Sequence, residues 1–251
     1  MGTSTGRRAP TTKFWRAAKR TATRYLSPAG AAPVAAREVV ADYLLALEDQ
    51  ETPQTKDLLA AFRLTRKVAQ NLGEWGGKVA SHGFRAKCQE MGLGELVGQP
   101  PEILAPALTA VLLEGGAGLE EEVISTALAE VFLAVLPAQL ESWQPLAAEL
   151  KADYLPLDAA ALVTQFLATV LFQRLVFDLG ESLEAAAPGW PRYNQGLEEI
   201  RAEIQLAVEA AARKFPAPSR WQGLSGWTWV TQVMEALLEQ FLMGLRPTRK
   251  E

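Results

Sequence analysis

The stretch AAALVTQFLATVLFQRLVFDLG, residues 159–180, sets the first condition on any fold for this chain. A run of this length and composition either spans a bilayer or lies buried inside a helical core. Gln165, Gln173, Arg174 and Asp178 interrupt it. A central Arg or Asp costs roughly 2.5–3.5 kcal/mol on membrane-insertion scales. The stretch therefore reads as the buried helix of a soluble core, with no membrane involved. Asp158 stands where an N-cap is needed, and the pattern carries the helix to about Ala186.

Helical spacing recurs on both sides of this segment. KFWRAAKRTATRYL (13–26) is a basic helix with Phe14, Trp15, Ala18 and Ala22 as a partial apolar stripe. SPAGAAP (27–33) reads as a linker. A helix from near Pro33 to about Glu48 places Val39, Val40, Tyr43, Leu44 and Leu47 on one face. Another over about 54–71 turns Leu58, Leu59, Phe62, Thr65, Val68 and Leu72 inward. LGEWGGKVASHGF (72–84) is expected to be broken by its glycines. A short helix to Met91 follows, then a loop over 92–103, with helices at 101–113 and 119–136. Leu197, Ile200, Ile204, Val208 and Ala211 define a helix between loops at 187–196 and 214–226, and a last helix covers about 227–244. No strand of period two occurs. The fold class is all-α, a multi-helix globular bundle. Residues 1–32 are expected to form a flexible basic arm and linker, and residues 33–251 the helical globular domain.

Charge is split between these parts. Residues 1–24 carry Arg7, Arg8, Lys13, Arg16, Lys19, Arg20 and Arg24 with no acid, while the whole chain sums to −4, so the remainder stands at −11. Such an arm suits an anionic contact: nucleic acid, an acidic partner or the protein's own body. The single cysteine, Cys88, excludes an intrachain disulfide and fits a reducing, cytoplasmic setting. No apolar h-region follows the first basic residues, which argues against a secretory signal.

Sites for chemistry are scarce. His82 is the only histidine, so a multi-histidine metal or catalytic centre is excluded within one chain. His82 and Cys88 lack an orienting acid, and they read as a surface histidine and a semi-buried thiol. GEWGG (73–77) and EGGAG (114–118) match neither phosphate-loop pattern. Glu120, Glu121 and Glu122 open a helix, where they complement its dipole as a solvated cap. No catalytic, cofactor or metal residue is assigned, and the chain reads as non-enzymatic. Among the tryptophans, Trp221 and Trp227 in RWQGLSGWTW form a candidate interface, with the core-lid reading ahead of it.

The leader MGTSTGRRAP is the most chemically suggestive segment. Removal of Met1 exposes the Gly2 amine, and Gly6 fails the Ser/Thr requirement for myristoylation. What remains is an open, nucleophilic α-amine, with a typical pKa of about 7.7–8.0, on a leader of Thr3, Ser4 and Thr5 ahead of Arg7 and Arg8.

MGTS, W-x-x-A-K at 15–19 and R-x-V-V-A-x-Y-x-x-A-L from Arg37 to Leu47 resemble the QatB family of bacterial anti-phage defence proteins. AQNLGEW (69–75), EMGLGELVGQPPEIL (90–104) and the Trp-Gln-Gly…Gly…Val-x-x-x-Met-Glu region (221–235) are similar to the same family. The chain departs from the family's serine- and glycine-rich leader in carrying GRRAPTTK at 6–13. The resemblance implies a four-component system whose other parts are an ATPase, a QueC-like enzyme and a TatD-like nuclease. It implies that the QueC-like partner couples the Gly2 amine to a deazaguanine carboxylate. Thr3, Ser4, Thr5, Arg7, Arg8, Trp15, Trp221 and Trp227 are then the expected partner-binding residues. A nucleic-acid-binding adaptor using the basic helix, with Phe14 and Trp15 stacking on bases, is the second reading.

Overall fold

A computed structural model describes residues 12–27, 34–48, 59–113, 119–136 and 158–242. Among the described residues all regular structure is helical. In chain order the helices are α1 (Lys13–Leu26), α2 (Ala36–Glu48), α3 (Arg63–His82), α4 (Phe84–Glu90), α5 (Pro101–Leu113), α6 (Leu119–Val135), α7 (Ala159–Ala186), α8 (Trp190–Ala212) and α9 (Leu224–Leu242). A 3-10 turn, Gly94–Leu96, sits between α4 and α5.

α7 is the axis of the molecule. Asp158 caps it by accepting from the backbone N–H groups of Ala160 and Ala161, as its sequence position predicts. By length and composition this helix could cross a membrane, yet 61% of its most apolar window is buried inside the protein. α1, α3, α6 and α8 all pack against it. Its polar residues tie it to the surrounding chain. Tyr43 on α2 donates to Asp178 at 2.7 Å, Arg174 donates to the Ala61 carbonyl at 2.9 Å, and Gln173 donates to Glu130 on α6 at 2.7 Å. Burial, with Asp178 beside it, pushes the Tyr43 phenol well up. Arg201 on α8 also reaches Glu130, and its guanidinium lies over the Phe172 ring. One carboxylate thus joins α6, α7 and α8.

α1 corrects the expected arm. Trp15, Ala18, Ala22, Tyr25 and Leu26 are buried in the same core as α7. Trp15 meets Tyr43 edge-on at 6.1 Å, and Thr21 donates to Asp42 on α2. Tyr25 donates to Glu199 on α8, while Arg192 lies over the Tyr25 ring and donates to its carbonyl. Burial and the Glu199 contact push the Tyr25 phenol up. Glu199 is held below the usual carboxylate range by the Tyr25 hydrogen bond. Lys13–Leu26 therefore belongs to the globular body. Trp15, Ala18 and Ala22 of the apolar stripe are fully within the core rather than a partial cover for it. Residues 1–11 and 28–33 lie outside the described residues.

Three other expectations change. α3 runs unbroken through GEWGG to His82. α8 begins at Trp190, with Pro191 at its first turn where a missing N–H is harmless, so 190–196 is helix rather than loop. α9 begins at Leu224, ahead of the expected Trp227.

Leu26 is 1% exposed, and it packs so closely on α8 that a Cβ at Gly196 would sit 2.4 Å from its Cδ2. Leu26→Ala should therefore lose about 2–5 kcal/mol of stability. Urea unfolding followed by circular dichroism reads this; a detachable arm would show no loss.

Candidate functional site

Thr12 caps the N-terminus of α1, its hydroxyl accepting from the Trp15 backbone N–H. α1 has no acidic residue. With its apolar stripe buried, the helix turns Lys13, Arg16, Arg20 and Arg24 to solvent. A basic face is thus anchored rigidly on the body at the point where residues 1–11 join it. Thr3, Ser4, Thr5, Arg7, Arg8 and Gly2 lie outside the described residues. Trp15 is 7% exposed and serves the core, which removes it as a base-stacking or partner-binding group.

The expected Trp221–Trp227 interface is also redrawn. Trp221 is 7% exposed and meets Trp229 edge-on at 5.2 Å. Its ring lies so close to α3 that a Cβ at Gly73 would stand 2.1 Å from Cε3. Trp227 is half-buried beneath the Arg66 guanidinium at 4.7 Å, and Arg66 also donates to Thr231 and to the Leu59 carbonyl. Both rings close the core over α3. Among the described residues the exposed tryptophan is Trp190, at 63%, which the sequence reading did not select. Its place at a Pro-containing helix start was the available signal.

The close approach of Trp221 brings together stretches that are remote in sequence. Gln222 donates to Glu74 at 3.0 Å, and Lys78 reaches the same carboxylate oxygen at 2.9 Å. Lys78 lies 3.7 Å from Glu90, and Lys87 lies 2.8 Å from it. Burial pushes the Glu74 carboxyl up, but hydrogen bonds from Lys78 and Gln222 outweigh it and hold the group below its usual range. Glu90 is lowered by its hydrogen bond from Lys87, and Lys78 is raised by its bond to Glu74. Residues of 69–75, 90–104 and 221–235 therefore meet around one ionic network on α3, α4 and the start of α9. Sequence reasoning missed this cluster, since its members are ordinary surface charges until the fold assembles them.

Ser81 Oγ lies 2.8 Å from His82 Nδ1, 2.9 Å from the Gly77 carbonyl and 3.3 Å from the Lys78 carbonyl. His82 is exposed at the end of α3, as expected. Cys88 is fully buried rather than semi-buried, and burial pushes its thiol up to about 11. Among the described residues no group of three or more His, Cys, Asp or Glu side chains could hold a metal ion. Glu120 is more than a solvated cap: it accepts from the Thr65 backbone N–H and hydroxyl, completing the first turn of α3.

These features define an all-α protein whose charged groups form surface networks and whose lone thiol is buried. Residues 55–241 match the sequence model of a family described as Qat anti-phage system associated protein QatB. The chain belongs to the QatB family, and its role lies in anti-phage defence. No curated protein and no solved structure matches it.

Alanine at Gly73 would gain up to about 1 kcal/mol of helix propensity. The Trp221 clash dominates, and Gly73→Ala should destabilise the protein by about 1–3 kcal/mol, read by urea unfolding. Cys88 should resist iodoacetamide at pH 8 in the folded protein and react at once in denaturant, as measured by mass spectrometry.

Proposed function

We propose that this QatB-family protein is a non-enzymatic component that docks its system partners and presents its N-terminal glycine for modification. The observation that carries this reading is the anchoring of α1. A leader joined to a rigid, buried helix has a fixed base, and the residues from Gly2 to Thr12 reach at most about 35 Å from it. An amine on such a tether can enter a partner's active site while the body stays docked.

The modifying partner is a QueC-like enzyme, which activates a deazaguanine carboxylate with ATP. The Gly2 amine attacks the acyl-adenylate carbon, the amide C–N bond forms, AMP leaves, and the nitrogen gives up a proton. Gly2 suits this step because it has no side chain to obstruct the approach. The solvent-facing Arg16, Arg20 and Arg24, continued by Arg7 and Arg8, favour a partner surface that handles anionic nucleotide. The system's ATPase and TatD-like nuclease are further docking partners. The location is the cytoplasm, where the partners and ATP are.

Co-expression with the active QueC-like partner should add the mass of one deazaguanine acyl group to the peptide beginning at Gly2. An unmodified N-terminus under those conditions overturns the reading. Reversing Arg16, Arg20 and Arg24 to Glu should slow partner association about tenfold at low salt, with a smaller effect at high salt. Tight, steeply salt-dependent binding of DNA or RNA by the isolated protein would favour the nucleic-acid adaptor instead.

A further inference from the structure

An exposed aromatic face stands where α7 turns into α8. Phe177 is 50% exposed and Trp190 63% exposed. Trp190 meets Tyr193 edge-on at 5.4 Å, and the Tyr193 hydroxyl reaches back to α7, 3.8 Å from where a Cβ on Gly180 would be. Burial, and then the charge of Glu184, push the Tyr193 phenol up. The two rings of α8 and the last turns of α7 therefore share one surface. Phe177, Glu181 and Glu184 follow one another at i, i+4 and i+7, so they line one strip of α7, and all three are exposed.

The charge on this face is uncompensated. Glu181 and Glu184 lie in the last two turns of α7, where the helix dipole disfavours negative charge. No basic residue stands in the last turn, and none lies three or four residues from either glutamate. Arg192, two residues after Trp190, is engaged by Glu199 and the Tyr25 ring. Two like charges one turn apart at a negative helix end are stabilised by a cation from elsewhere. An exposed tryptophan beside them is the best aromatic platform for a guanidinium.

One segment of the chain has that chemistry and starts within reach. Arg7 and Arg8 precede Thr12, the cap of α1, by five and four residues, and residues 1–24 contain no acid. Trp15, one turn further on, meets the ring of Tyr43, whose hydroxyl donates to Asp178 at 2.7 Å. Glu181 is three residues beyond Asp178, a rise of about 4.5 Å. Four or five extended residues span about 14–18 Å, and the arginine side chains add their own length.

We propose that the N-terminal leader docks on the protein's own α7–α8 face, with Arg7 and Arg8 pairing with Glu181 and Glu184 and stacking on Trp190. Tethering holds the arginines near the face at a millimolar effective concentration, which sustains contacts that would be weak between separate molecules. The same weakness lets a partner's anionic surface draw the arginines away. The docking does not depend on whether Gly2 is modified.

The test uses full-length protein labelled with nitrogen-15 at tryptophan and carrying a nitroxide on Ser4→Cys, the native Cys88 being buried. Trp190→Phe assigns the Trp190 indole peak by removing it, and loss of so exposed a ring leaves the core intact. At low salt the nitroxide should broaden the Trp190 peak far more than that of Trp229, which lies by the opposite end of α7 with Asp158 and Ala160. Reversing Arg7→Glu with Arg8→Glu should cut the Trp190 broadening about fivefold, as should high salt. Glu181→Arg with Glu184→Arg should do the same, and combining the two reversals should restore it. Failure of that rescue overturns the pairing. Trp190 broadened no more than Trp229, or broadened equally after the Arg7 and Arg8 reversal, overturns the docking. Nitroxide-bearing protein without nitrogen-15, mixed with nitrogen-15 protein without nitroxide, should leave Trp190 sharp. Broadening there hands the face to a second copy and overturns docking within one chain.

Discussion

The architecture depends on the burial of α7 (Ala159–Ala186). A helix that is apolar on most of its circumference must be wrapped, and α1, α3, α6 and α8 do the wrapping. Its few polar residues would be costly in such a place if left unmatched. Instead Gln173, Arg174 and Asp178 each meet a partner on a different element. Hydrophobic burial supplies the driving force, and these hydrogen bonds select the register in which α7 meets its neighbours.

A second close contact shapes the surface. Trp221 packs against Gly73 where no side chain could fit, and its own carbonyl oxygen stands 2.2 Å from where a Cβ at Gly226 of α9 would be. Glycines that weaken α3 as an isolated helix are what allow the ring to lie against it. The loss in propensity is about 1 kcal/mol per glycine, and burial of a large aromatic surface offsets it. That approach delivers Gln222 to Glu74 in the ionic network.

Two surfaces with different characters result. The exposed side of α1 is uniformly basic and sits at the root of the N-terminal segment. The α3–α4 face is charge-balanced, Lys78 and Lys87 meeting Glu74 and Glu90. A basic face steers association over distance, whereas a balanced one acts at contact range.

Much of the fold was legible in the chain itself. The helical class, the Asp158 cap and extent of α7, and the inward face of α2 follow from period and capping chemistry, which act over a turn or two. Residue counts fix that there is one cysteine and one histidine, whereas the full burial of Cys88 is decided by packing. Local rules misjudged GEWGG, because its glycines answer to Trp221 and not to their own helix. They also misplaced α1, since whether a stripe of Trp15, Ala18 and Ala22 stays wet depends on Tyr43 and α7 meeting it. The Glu74–Lys78–Glu90–Lys87 network was invisible for the same reason. Sequence by itself determined which segments are helices and which face of most of them is apolar, because both depend on neighbours within a few residues. Tertiary structure alone decided which charges meet and which aromatic rings are buried, because those depend on residues far apart in the chain.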